Sequence, residues 1–410
     1  MYKLLGKNVS HSYSQEVHNS LGYDYKILDL SLSEFREIME ERSFVGVNIT
    51  MPYKQEALKY LDYIDPAAKK LNVVNTVVHK DNKLYGYNTD YFGLKYLIKF
   101  NEIEIKDRNV VILGSGATSK TVKALCQDLG AKNITKVSQS NSNHLTYDDL
   151  SSVLNYQVLI NTTPKEMYPN TEEKIIDLKQ FNKLEAVVDV IYNPLKTNLI
   201  LQAKDLNIKA VGGLEMLVGQ AVESSSLFFN KKYPKDTINK VYKKLLLEKS
   251  NIVLVGMPTS GKSTIGKALA KSLNKKFIDV DKEIVKKAGN SIKEIFKEKG
   301  EAYFRTVESQ VIESLSRESN LVIATGGGSV LDQKNVKRLK RNGYLIFIDR
   351  PLNLLIAADD RPLSANRINL KNLYQERYNI YKAVSDVTVI NDKDLDFVLK
   401  KVLEAIRCAF

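Results

Sequence analysis

The sequence predicts an α/β protein of two or three domains. Three observations carry this. The chain has 410 residues, and one domain usually takes about 100–200. It runs twice from a short apolar strand through a glycine turn into a helical segment, at NVVILGSGATSKTVKALCQDLG and at NIVLVGMPTSGKSTIGKALAKSL. Before the second run lies Phe229 to Ser250, FNKKYPKDTINKVYKKLLLEKS, which is polar and basic and contains Pro234. Its middle, TINKVYKKLLLEK, spaces Ile238, Val241, Leu245 and Leu246 as a helix does, so it reads as a terminal helix running into a linker.

Composition bounds the function classes. Hydrophobic residues are 43% and charged residues 27%, ordinary for a soluble globular chain. No run of about 18 apolar residues occurs, and MYKLLGKNVSHS lacks the apolar stretch of a signal peptide. A cytoplasmic location and no membrane partner are expected. Cys126 and Cys408 then read as free thiols, and His11, His18, His79 and His144 form no zinc spacing. The net charge is +13; residues 251–410 hold 28 Lys/Arg against 19 Asp/Glu, or +9, and residues 1–250 hold 33 against 29, or +4. A lysine-rich solvated surface accounts for this, and so does a second half that handles phosphorylated or acidic small molecules. No nucleic-acid motif is present and the lysines are not gathered in one stripe, so no nucleic-acid partner is expected.

The second glycine turn carries the stronger signal. Gly256 to Ser263 fits G-x-x-x-x-G-K-[ST], between the strand Asn251–Val255 and the helical run STIGKALAKSL. Backbone N–H groups of such a loop face phosphates, and the helix start adds partial positive charge. Gly256, Thr259, Ser260, Gly261, Lys262, Ser263 and Thr264 are the candidate nucleotide contacts. Lys262 reaches the β/γ-phosphates, and Ser263 ligates Mg²⁺. The next strand, KFIDVD, ends in Asp279 and Asp281, which at i and i+2 on one strand point the same way. One could hold Mg²⁺ and the other accept a hydroxyl proton. VIATGGGSV brings Gly326, Gly327 and Gly328 after a strand, where backbone can approach a ligand closely. Arg305, Arg361 and Arg377 add guanidinium forks suited to carboxylates and phosphoryl groups.

In order, GMPTSGKST, FIDVD, GEAYFRTVE, GGG, RPL and RYNIY resemble the shikimate kinase family over essentially all of 250–410. The resemblance implies a P-loop domain of the nucleoside-monophosphate-kinase-like type, using ATP and Mg²⁺. It implies that Asp279 helps hold Mg²⁺, that Asp281 binds the substrate hydroxyls and serves as base, and that Arg305 and Arg377 grip the substrate carboxylate. Gly326, Gly327 and Gly328 would line the acceptor site, and Arg361 would meet the transferring phosphoryl group from a lid. The lid departs from the family: no arginine occurs from Leu352 to Asp360 to stack on adenine.

In the first half, Val110–Leu113 reads as a strand and about Ser119 to Leu129 as a helix, joined by G-x-G with Ser119 in the third glycine's place. This context points to a dinucleotide fold. The following strand, NITKVSQS, leaves NAD or NADP open: no acid follows to hold a free ribose, and no Lys or Arg occurs from Ser138 to Pro164. Further upstream, Lys54 follows a proline-marked turn. Ser12 and Ser14 offer hydroxyls at i and i+2, and Asn75, Asn88 and Asp90 add amides and a carboxylate. Lys54 and Asp90 could shuttle a proton on a polyhydroxylated acid.

HSYS, GVNITMPYK, VVNT, YNTD, LINTTP, VVDVIYNPLKT and GGLEMLVGQA resemble shikimate 5-dehydrogenase over about 1–245. The resemblance implies Lys54 and Asp90 as the catalytic pair and Ser12, Ser14, Thr50, Asn75, Tyr192 and Gln220 as substrate contacts. Gly114, Gly116, Ala117 and Thr162 would line the nicotinamide cofactor. Three departures stand out: Gln15 for the usual proline, Glu166 for the usual glycine, and Ser138-Gln139-Ser140 where Asn-Arg-Thr commonly binds NADP. The expected division is a substrate lobe over 1–100 with a return helix at about 213–245, a Rossmann-type lobe over 101–230, a helix and linker over 231–250, and a kinase domain over 251–410.

Both halves then share one metabolite: reduction of 3-dehydroshikimate to shikimate, and ATP-dependent phosphorylation of shikimate. The partners expected are these small molecules, and the oligomeric state stays open. Two alternatives stand beside this reading. One is a kinase whose dehydrogenase-like half only binds; the other is a nucleic-acid-associated P-loop ATPase.

Overall fold

The computed structural model describes residues 1–139, 144–356 and 366–410. The chain forms two compact units, Met1–Leu245 and Leu246–Phe410. The division falls inside the helix Thr237–Lys249, which buries Ile238, Val241 and Leu245, a few residues before the end of the expected linker.

The first unit holds two sheets. One has strands β1 (Tyr2–Gly6), β2 (Tyr25–Asp29), β3 (Gly46–Ile49), β4 (Tyr63–Ile64), β5 (Thr76–Lys80) and β6 (Lys83–Tyr87), in the order β2-β1-β3-β5-β6-β4. It is mixed. β1 pairs in parallel with β2 and β3, while β5 runs antiparallel to β3 and β6. The β5–β6 hairpin turns on Asp81 and Asn82 at φ 50° and 56°, the positive pair that a two-residue type I′ turn requires.

The second sheet is all parallel, with β7 (Asn109–Leu113), β8 (Asn133–Val137), β9 (Val158–Asn161), β10 (Ala186–Asp189) and β11 (Lys209–Val211), ordered β11-β10-β9-β7-β8. β7, β9 and β10 are near-continuous apolar runs because helices and loops cover both faces. Val110 and Ile112 enter one core, Val111 and Leu113 the other. The strand order reverses between β7 and β9, and an open α/β sheet binds ligands at such a switch point. The helix after β7 spans Ala117–Asp128 and so opens two residues earlier than its spacing suggests. The return helix is Leu214–Phe229, whose Phe228 packs with Leu4 and Tyr25 of the first sheet and with Val9 in the loop after β1.

The second unit is one parallel sheet of β12 (Asn251–Val255), β13 (Lys276–Asp279), β14 (Leu321–Ala324), β15 (Gly343–Asp349) and β16 (Val387–Ile390), ordered β13-β14-β12-β15-β16. Val253 and Val255 face one core and Ile252 and Leu254 the other, as a strand's period of two demands. Two helices start on Ser–Glu capping boxes, at Ser31/Glu34 and Ser291/Glu294. The long helical run Ile292–Ser316 is broken at Gly300, at φ 77°, so the segment carrying Arg305 begins afresh there.

Candidate active sites

Lys54 follows β3 in the turn before the short 3₁₀ helix Glu56–Tyr60. Asp90 sits in the first turn of the helix Thr89–Phe100, which Asn88 caps through the Tyr91 N–H. The fold brings the two together: Lys54 Nζ donates to Asp90 Oδ2 at 2.5 Å, with both side chains about 11% exposed. Asn75 Nδ2 donates to the other carboxylate oxygen at 2.9 Å, and the Thr89 N–H donates to Asn75 Oδ1 at 2.7 Å. The Asp90 carboxylate is therefore held by both oxygens.

Behind this pair lies a hydrogen-bonded web that the sequence did not reveal. Asn48 Nδ2 donates to Ser224 Oγ at 2.7 Å, and the hydroxyls of Thr76 and Thr89 each lie 3.0 Å from that oxygen. Ser224 in turn donates to the Gln220 carbonyl at 2.8 Å. The return helix thus ties into β3, β5 and the Asp90 helix at one hydroxyl. No local pattern signals this, because Asn48 and Ser224 are 176 residues apart.

Several of the other candidate substrate contacts are hydrogen-bonded to one another or to the Asp90 helix. Ser12 Oγ donates to Ser14 Oγ at 3.0 Å, and Tyr192 OH donates to Ser12 Oγ at 3.3 Å. Gln220 Oε1 accepts from Thr89 Oγ1 at 3.5 Å. Thr50 follows β3, with its N–H on the Leu5 carbonyl.

Gly114, Gly116 and Ala117 lie after β7, and Thr162 after β9, on the two sides of the switch point. Thr162 Oγ1 donates to the Leu113 carbonyl at 2.6 Å. Gly114 has φ +106°, and a Cβ there would stand 2.7 Å from Thr162 Oγ1. Below these loops, the fully buried Asp189 accepts from Asn161 Nδ2, the Ile191 N–H and Thr197 Oγ1 at 2.9, 3.0 and 2.7 Å. Burial raises its pKa to about 6, against the pull of those three donors. Asn161 Oδ1 accepts from Thr163, so one buried pair fixes both the Thr162 loop and the Tyr192 loop. Glu166 stands at φ 69°, which explains a glycine preference there. Its buried carboxylate accepts from the Leu199 N–H at 2.8 Å, in the first turn of the helix Asn198–Asp205.

In the second unit, Thr259, Ser260, Gly261, Lys262, Ser263, Thr264, Asp279, Asp281 and Thr325 line a cavity of about 220 Å³. Lys262 Nζ donates to the Gly256 and Met257 carbonyls at 2.9 and 2.7 Å, and Ser263 Oγ donates to Asp279 Oδ2 at 2.7 Å. The strand reading of FIDVD is corrected. β13 stops at Asp279 and a helix begins at Val280, so Asp281 lies in that helix's first turn. Asp279 and Asp281 reach the cavity from different backbone conformations, not from one strand face.

Arg305 lies beside the glycine loop. A Cβ on Gly328 would stand 2.4 Å from its guanidinium, and one on Gly326 would stand 2.9 Å from both Asp281 and Glu308. A side chain at Gly326 or Gly328 would therefore require Asp281, Glu308 or Arg305 to shift. Arg305 donates to Glu308 at 2.8 Å and to Glu301 at 3.0 Å. Burial works against its charge, but the two carboxylates outweigh it and hold the guanidinium above its ordinary range. Glu308 is 1% exposed and also accepts from Ser329 Oγ at 2.6 Å. Sequence reasoning missed Glu308, although its i+3 spacing from Arg305 was a usable signal. Arg377 is buried, with Nη1 on the Gly327 carbonyl at 3.3 Å. Its Nε makes no hydrogen bond among the described residues, although the Glu376 carboxylate lies at ion-pair distance, 3.7 Å. Arg361 and Ser140 lie outside the described residues.

The family model for the shikimate dehydrogenase substrate binding domain matches residues 4–77, and the shikimate kinase model matches residues 258–407. The NADP(+) shikimate dehydrogenase of Clostridium beijerinckii is 37% identical over 246 residues, 55% of this chain and 91% of that protein. Its counterpart in Clostridium perfringens is 34% identical over 265 residues, 60% of this chain and 98% of that one. Among solved structures, shikimate dehydrogenase 1 from Peptoclostridium difficile superposes with a TM-score of 0.56 at 31% identity, covering 60% of this chain and 97% of that one. The chain belongs to the shikimate dehydrogenase family and carries a shikimate kinase domain behind it.

Proposed function

We propose that this one chain catalyses consecutive reactions, reduction of 3-dehydroshikimate to shikimate and phosphorylation of shikimate by ATP. The observation that favours this over a kinase with a merely binding first half is the Lys54–Asp90 pair, held at 2.5 Å and braced by Asn75. A module that only binds has no need of a buried proton-carrying pair.

The residues around the glycine turn fit a nicotinamide dinucleotide. A Cβ on Gly116 would meet nothing within 4 Å, and the helix starting at Ala117 has no side-chain cap. Its first N–H groups are left for a pyrophosphate. The cofactor named for the relatives is NADP; its reduced form would supply the hydride when bound. Lys54 gives the carbonyl oxygen its proton as the alcohol forms, and takes it back in the reverse direction. Asp90 keeps the ammonium in place. Ser12, Ser14, Thr50, Asn75, Tyr192 and Gln220 orient the substrate through its hydroxyls and carboxylate.

The Ser263–Asp279 pair suits Mg²⁺, which binds through one or two protein oxygens plus phosphates and water. ATP would supply the phosphoryl group and leave as ADP, and Mg²⁺ would offset the charge of its phosphates. Lys262 leaves its own loop's carbonyls for the β/γ-phosphates. Asp281 orients and deprotonates the attacking hydroxyl, and Arg305 and Arg377 hold the shikimate carboxylate. Arg361, by the family resemblance, neutralises the transferring group. This reading takes the partners to be small molecules and the compartment to be the cytoplasm.

A coupled assay tests it. Full-length chain receives 3-dehydroshikimate, ATP and Mg²⁺ with NADPH or NADH, and nicotinamide absorbance and ADP release are followed separately. Both signals are expected. ADP release on added shikimate, without nicotinamide oxidation on 3-dehydroshikimate, would leave the binding-module alternative instead.

A further inference from the structure

β8 ends at Val137, and Ser138 occupies the place where an acid would hold a free ribose diol. Ser138 Oγ donates to Ser115 Oγ in the glycine turn at 3.0 Å. Lys136 precedes Ser138 by two residues, so on extended backbone both side chains leave the same face. Its Nζ donates to Ser119 Oγ at 3.1 Å, in the first turn of the helix Ala117–Asp128. Lys120 and Lys123 belong to that helix. After burial, which is the larger cause, these two ammoniums lower the pKa of Lys136. Three positive groups therefore gather at the strand end where the adenosine ribose of a dinucleotide lies. Concentrated positive charge in a partly buried corner is repulsive by itself and is relieved by a bound anion.

We propose that Lys136, assisted by Lys120, recognises the 2′-phosphate of NADP, a role that no basic residue from Ser138 to Pro164 is present to fill. This rests on the nicotinamide-dependent dehydrogenase reading of the first unit. The neutral Ser115–Ser138 pair brings no carboxylate to repel a phosphate or to favour an unsubstituted ribose.

The test is calorimetric titration of the full chain with NADP⁺, NAD⁺ and 2′-AMP. The variants are Lys136→Met, which keeps the apolar stem, Lys136→Arg, which keeps the charge, and Lys120→Met. The parent should bind NADP⁺ more tightly than NAD⁺. Lys136→Met should weaken NADP⁺ and 2′-AMP by about 10- to 100-fold, the worth of a charge-assisted contact, and leave NAD⁺ unchanged. Lys136→Arg should retain most of the preference, and Lys120→Met should lose less than Lys136→Met. A parent that prefers NAD⁺, an unchanged NADP⁺ affinity in Lys136→Met, or equal losses of both dinucleotides would each overturn the assignment. A parent that binds neither dinucleotide would instead remove the reading on which it rests.

Discussion

Lys54 and Asp90 meet inside a web that consumes its own donors and acceptors, whereas the groups around the kinase cavity keep some unused. In the first site both Asp90 oxygens are taken, and Asn48, Thr76 and Thr89 all end on Ser224. In the second, Ser260 Oγ and Arg377 Nε are buried without a hydrogen bond among the described residues. The difference follows from the chemistry. General acid–base catalysis needs one proton carrier fixed in place before substrate arrives. Phosphoryl transfer is mostly positioning and charge stabilisation, so its donors must be ready for oxygens that the protein does not own. A closed web spends its interactions on the folded state; an open cradle reserves them for binding.

That contrast can be broken by experiment. Lys54→Ala should lower dehydrogenase turnover by about 10²–10⁴-fold, while shikimate-dependent ADP release is unchanged. If the variant oxidises shikimate at the parental rate, the web is a structural device and the contrast fails.

A second test concerns Asp189, which has the closed web's character in extreme form. Its folded pKa of about 6 lies above the ordinary value of about 4, so the native state holds the proton more tightly than the unfolded chain. Its contribution to stability is complete below about pH 4 and is lost as pH rises through 6. By linkage, two units amount to about 3 kcal/mol. The stability of the parent minus that of Asp189→Asn should therefore fall by up to this amount from pH 4 to pH 7, read from urea midpoints. A difference that stays level across that window would show an ordinary carboxylate.

The arginines sharpen the open side. Arg377→Ala should weaken shikimate binding by about 1.5–3 kcal/mol, with ATP affinity unchanged and a smaller loss in Tm. Arg305→Ala should weaken binding comparably but also cost stability, because it strands Glu308, which is 1% exposed. If the two variants lose equal stability, Arg377 is a structural residue. The smallest effect expected is from Ser224→Ala. It should destabilise the protein by about 1–2 kcal/mol by removing one hydrogen-bond partner each from Asn48, Thr76 and Thr89, and lower dehydrogenase turnover far less than Lys54→Ala. A Tm equal to the parent's would mean that the web re-forms without its hub.

Much of this was legible before any coordinates. The strands Asn251–Val255 and Asn109–Leu113, and the helices after them, follow from apolar runs closed by glycine turns. Lys262 and Ser263 could be assigned because a phosphate loop is contiguous: its geometry is set by residues within one turn of each other. Misreadings arose where local rules compete. FIDVD has strand character, yet the helix opens at Val280, and a carboxylate in a first helical turn is as favourable as one on a strand end.

By itself the sequence determined what is local: the two strand–glycine turn–helix runs, and the residue types available for each chemistry. It could not decide which distant side chains share a hydroxyl or a charge. Strand order placed β7 beside β9 and so set Gly114 against Thr162. The return of the chain at Leu214 brought Ser224 to Asn48, and the helix after Gly116 set Lys120 and Lys123 against Lys136. The physical reason is range. Backbone preferences act within a few residues, whereas burial, hydrogen-bond satisfaction and like-charge crowding depend on neighbours that only the packed sheets and helices supply.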